Sequence, residues 1–137
     1  MKPISPVPAA LAALLLALPI PAEAFNARRN MHVNPVDAAV FEVIAPSAAP
    51  ADDYWCGAAD YAQRALGMPW IARIYIARGR GPSVTTQRRT AVQFTVQPEV
   101  AGVQPLDPVF MLNMMKPGDN MTVAHALSFC NQPPVQE

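Results

Sequence analysis

The stretch from Asp52 to Gly67 constrains the fold of this chain more than any other. Trp55, Ala58, Ala59, Ala62 and Leu66 recur at three- and four-residue intervals, which puts them on one face of an amphipathic helix. Tyr54, Tyr61 and Ala65 widen that face. Asp52 or Asp53 can accept hydrogen bonds from the first free amides, and acid at this end suits the helix dipole. Arg64 lies in the last turn, Gly67 is a natural stop and Pro69 forbids continuation. Gly57 costs up to about 1 kcal/mol against alanine inside a helix. Its place beside Cys56 suits close approach by another backbone.

The segments around this helix read as strands. Val36 to Ala45 alternates, with Ala39, Phe41 and Val43 on one side and Val40, Glu42 and Ile44 on the other. Trp70 to Ala77 is a second strand, with Trp70, Ala72, Ile74 and Ile76 facing one way. Thr90 to Gln97 is a third, with Val92, Phe94 and Val96 inward. Between these two lies a long tip, Arg78 to Arg89, so the pair forms a hairpin with a basic end. Pro98 to Pro108 is loop, and Val109 to Met115 is apolar enough for a fourth strand, although Asp107-Pro108 would also start a helix well. Lys116-Pro117-Gly118-Asp119 is a turn. The last element reads two ways. As a helix capped by Thr122, it shares a face among Val123, Ala126, Leu127 and Cys130; as a strand, among Val123, His125, Leu127 and Phe129. The expected fold is α+β: an antiparallel sheet of about four strands with one main helix on one face, in the order β-α-β-β-β, closed by a short C-terminal helix or strand.

The first 24 residues have the form of a cleaved export signal. Lys2 precedes an apolar run from Ala9 to Leu18, too short to span a bilayer, and Ala22-Glu23-Ala24 has the small-x-small pattern of a processing site. The mature chain is expected to begin at Phe25 and to be periplasmic or extracellular. Residues 25–35 form a polar, loose arm, 36–130 a single stapled domain, and 131–137 a disordered tail. The mature chain carries nine basic and nine acidic residues, so no net charge draws it to nucleic acid or an anionic membrane.

Cys56 and Cys130 are the only cysteines. An even count in an exported chain points to a disulfide, here tying the main helix to the final element. In the chain-entropy picture a loop of this length stabilises by about 4 kcal/mol. The competing reading makes Cys56 a nucleophile, since the first turn of a helix favours thiolate, with His125 as its base. Cys56, Asp60-Tyr61-Ala62, Leu66-Gly67-Met68-Pro69 and Ala72-Arg73 resemble the cysteine-helix segment of transglutaminase-like cysteine enzymes. That resemblance implies a following strand with a catalytic histidine and then an aspartate. The strand from Trp70 to Ala77 holds no histidine, and His125 lies far along the chain with no evident acid partner.

His32 and His125 lack metal-ligand spacing, and Met111, Met114, Met115 and Met121 are irregularly placed. The methionines suit core packing or an adaptable apolar surface better than copper. No phosphate loop, nucleophile elbow or dinucleotide fingerprint is present, and no cofactor is expected. The basic tip with Arg78, Arg80, Arg88 and Arg89 is the remaining candidate. Two glycines and Pro82 expose amides that can hold an anion; the alternative is a charged sheet edge that discourages aggregation. The expected function is therefore a non-enzymatic binding or interaction module contacting an anionic ligand or an envelope protein. The alternatives are a cysteine-dependent envelope enzyme and a structural or assembly subunit.

Overall fold

A computed structural model describes residues 24–107 and 112–131. The chain is α+β, as its pattern implies, but the sheet has six strands rather than about four. They are β1 (Phe25–Asn26), β2 (His32–Pro35), β3 (Val40–Ile44), β4 (Arg73–Gly81), β5 (Ala91–Thr95) and β6 (Asn120–Thr122). All neighbours are antiparallel and the spatial order is β1-β2-β3-β5-β4-β6. The helices are α1 (Ala51–Arg64), the short α2 (Pro98–Ala101) and α3 (Val123–Ser128).

The two added strands at the N-terminal side come from the segment expected to be a loose arm. Ala27, Met31 and Val33 are buried in the core, while His32 between them is exposed. The 3-10 turn Arg28–Asn30 is fixed by the Arg28 amide, which donates to the Asp60 carboxylate at 2.9 Å. Phe25 packs edge-on against Tyr61 with the Arg64 guanidinium over its ring. A few apolar side chains at alternating positions are enough to hold a short hairpin once a helix covers one face.

β3 is buried throughout its five residues. Phe41 and Val43 face α1, and their partners across β5 are Phe94 and Val92. α1 lies very close here: a Cβ on Gly57 would meet Val43 Cγ1 at 2.9 Å and Met31 Cβ at 3.2 Å. The close approach expected at Gly57 is real, but side chains of β3 and the arm make it. The first turn of α1 is not capped by an aspartate side chain; Pro50 is the N-cap, and Asp52 and Asp53 lie within the first turn. After α1, Gly67 takes a positive φ of 68° and the Met68 amide donates back to the Ala62 carbonyl, closing the helix end.

β4 starts later than the pattern suggests. The Ala72 amide bonds the Pro69 carbonyl, a turn that leaves Trp70 and Ile71 exposed. The register of β4 on β5 then slips between Ile76 and Arg78. Without that bulge Arg78 would share the core face with Ile74 and Ile76; with it, Arg78 sits opposite Gln93 on the other face. The expected fourth strand, Val109 to Met115, falls partly on residues 108–111, outside the described residues. Leu112 to Met115 form no strand but cross β4, where the Arg80 amide donates to Met114. A Cβ on Gly79 would come within 2.3 Å of the Met115 carbonyl oxygen, so that position requires glycine.

The ambiguous last element is both things in turn: β6 pairs with β4, and α3 follows directly, capped by the Thr122 hydroxyl accepting from the His125 amide. α3 packs on α1, and Cys130 is joined to Cys56 with Cα atoms 5.0 Å apart. The tail beyond Asn131 lies outside the described residues.

Candidate functional site

The face of the sheet opposite α1 is covered by the loop between β4 and β5, and one residue holds that loop down. Glu42 is fully buried at the centre of β3. Its carboxylate accepts hydrogen bonds from the Ser83 hydroxyl at 2.6 Å, the Val84 amide at 3.0 Å, the Thr85 amide at 2.9 Å and the Thr85 hydroxyl. Burial alone would raise this carboxyl; the Ser83 and Thr85 hydroxyls and the two amides outweigh it and hold it below the usual carboxylate range. The amides expected to be open at the basic tip are thus turned inward, where Val84 and Thr85 embrace an anion that the protein supplies itself.

Folding the loop over β3 creates a cleft of about 450 Å³. Its floor is Ile44, Ala45 and Pro46, its near wall His32 and Asn34 of β2, and its far wall Thr86, Gln87 and Arg88, with Ala24 at one end. Asn34 ties the walls together by donating to the Thr85 hydroxyl at 2.8 Å. His32 Nδ1 is 2.9 Å from the Asn26 side-chain oxygen. The Arg88 guanidinium is exposed and reaches the Pro46 carbonyl at 3.3 Å. No carboxylate lines the cleft among the described residues, because the nearest one along the strand, Glu42, is already enclosed by the loop.

The four arginines of the tip have different surroundings. Arg78 is half-buried and donates to the Gly79 and Ala91 carbonyls, bracing the base of the hairpin. Arg80 is anchored through its backbone to Met114. Arg89 is exposed, and only Arg88 lines the cleft. His32 and Asn34 join it from the arm whose strand was not anticipated. Glu42 carried a usable signal: in Val-Phe-Glu-Val-Ile it is a lone acid among apolar residues on both faces, and a buried acid needs donors.

Cys56 is fully buried and bonded to Cys130, so its sulfur is not available as a nucleophile. His125 is exposed, with its ring against Phe129. Met111 lies outside the described residues; Met121 is buried in the core, Met114 packs against it, and Met115 is exposed. Among the described residues no three His, Cys, Asp or Glu side chains gather as a metal site, and no helix is long and apolar enough to cross a membrane.

A second buried carboxylate, Asp60, has a structural setting. It takes a two-pronged contact from Arg64 at 2.6 and 2.7 Å besides the Arg28 amide. Burial would raise it, but these partners pull it below its usual value. Asp53 moves the other way, raised by burial and by the neighbouring charge of Asp52.

Comparison with known protein families, characterised proteins and solved structures gives no match.

Proposed function

We propose that this protein is a small exported, non-enzymatic binding module that takes an organic anion with an apolar body in the cleft beside the β4–β5 loop. The observation that carries this reading is the lining of the cleft: an apolar floor, a guanidinium and an imidazole at the walls, and no acid among the described residues. Such a surface pairs with a negative head group through Arg88 and His32 and buries a hydrocarbon body against Ile44, Ala45 and Pro46. Export is supported by the signal-like leader, by the disulfide, and by the first strand beginning at Phe25, directly after the expected cleavage position.

The test is thermal unfolding of the mature protein with hexanoate, hexyl phosphate, hexanol and chloride at matched ionic strength. The two amphipathic anions should raise the melting temperature and hexanol should not; binding to the native state at 100 times Kd is worth about 2.7 kcal/mol. Arg88→Ala should abolish the rise and His32→Ala should reduce it. A rise that survives Arg88→Ala but is lost on replacing Arg78 and Arg80 would move the contact surface to the base of the hairpin.

A further inference from the structure

A second cleft, of about 440 Å³, is built around an exposed aromatic ring and planar hydrogen-bonding groups. Its lining includes Trp70, Gln63, Arg28, Ser128 and Asn131, over Ala124 and Leu127. We propose that it binds a pyranose ring of a neutral glycan, stacked on Trp70.

Three observations lead there. Trp70 is 61% exposed in a protein that buries its other tryptophan completely, and Ile71 beside it is 83% exposed. Trp70 is the only one of the exposed large hydrophobic side chains among the described residues that lines this cleft, so its apolar face is presented to whatever enters it. The backbone that carries the ring is also fixed in place. Pro69 precedes it, the Pro69 carbonyl accepts from Ala72, and the Trp70 carbonyl accepts from the Ala124 amide at 3.0 Å. A platform anchored at both ends to α3 and to its own turn costs little further ordering when a ligand arrives.

The polar groups around the ring then select the ligand. Gln63 and Asn131 each offer a donor and an acceptor, Ser128 a hydroxyl, and Arg28 a fan of donors. A pyranose presents a C–H face that covers an indole and equatorial hydroxyls that both donate and accept at its rim, which matches an aromatic floor ringed by side-chain amides. A purely apolar partner would leave those amides unpaired, and a cation finds no carboxylate in the lining among the described residues. Arg28 is partly engaged already, its Nε 3.9 Å from Asp60, so the site has no strong demand for an anion. This distinguishes it from the cleft at Arg88.

Trp70 itself reports binding. Trp55 is sealed in the core, donating to the Asn113 carbonyl and touching Phe94, so iodide quenching of the native protein reads Trp70. Chitotriose, cellotriose and maltotriose are titrated separately, following fluorescence, iodide protection and heat. At least one should give a saturable emission change with protection from iodide. Trp70→Ala should weaken binding about tenfold or more, as loss of an anchoring tryptophan does, while keeping the melting temperature because the ring is outside the core. Gln63→Ala should weaken it less, and Arg88→Ala should leave it unchanged. The proposal is overturned if none of the three sugars saturates, or if Trp70→Ala binds as tightly as the unaltered protein.

Discussion

Glu42 stabilises this protein through its charge. Four donors converge on one buried carboxylate, with a backbone amide on each oxygen, so an amide side chain in either orientation sets its NH2 against a backbone N–H. Glu42→Gln should destabilise by about 2 kcal/mol at neutral pH, within the range for hydrogen bonds to a charged group, measured by urea unfolding, and should speed amide exchange in residues 83–85. The pH dependence has a definite sign. A carboxyl held below its ordinary value of 4.5 in the folded state contributes stability that is complete above that value and disappears as the pH falls through the folded-state pKa. The gap between wild type and Glu42→Gln should therefore be widest at neutral pH and close on acidification. A gap that stays constant from neutral to strongly acid solution would contradict a charged Glu42. Tyr54 presents the reverse case: its buried hydroxyl has no hydrogen-bond partner among the described residues, so Tyr54→Phe should cost nothing or stabilise slightly.

At the level of elements, the seam between α1 and β3 sets two opposing terms against each other at Gly57. Alanine there would gain about 1 kcal/mol of helix propensity, yet its methyl would meet Val43 Cγ1 at 2.9 Å and the Met31 side chain beyond it. Overpacking a core seam costs about 1–3 kcal/mol, so Gly57→Ala should be net destabilising, against what propensity alone says. Pairing Gly57→Ala with Val43→Ala should recover part of the loss, as seen in chemical denaturation. The disulfide ties α1 to the turn after α3 across 74 residues of sequence. Replacing both cysteines by serine should cost about 4 kcal/mol by the loop-closure estimate, read as the loss of unfolding free energy extrapolated to water, with a larger m-value because the unlinked unfolded chain exposes more surface.

For the whole molecule, acid lability follows from the same ledger of carboxylates. Glu42 and Asp60 are both held below their usual values and lose their contribution as pH falls, whereas Asp53 is raised and is relieved by protonation. Two terms oppose one, and Asp60 also holds the arm to α1, so acid unfolding should begin with the loop over β3 and the β1–β2 hairpin, before the disulfide-tied α1–α3 pair; residue-resolved hydrogen exchange below pH 4.5 tests the order. Much of this architecture was legible in the chain itself. Apolar spacing placed α1, the alternation of β3, the inward face of β5 and the basic hairpin, because periodicity follows burial. Two cysteines behind a signal-like leader implied the staple. The arm was not legible as a hairpin because Val33 and Met31 are too few to signal a strand, and they acquire a partner surface only when α1 covers them. The direction of Arg78 depended on a one-residue bulge, which no side-chain pattern encodes. The candidate clefts are likewise products of tertiary folding: His32 and Arg88 lie 56 positions apart, and Trp70 and Asn131 lie 61 apart. Local sequence determines which face of each element is apolar; only the closing of the sheet decides which polar residues are left facing one another across a cleft.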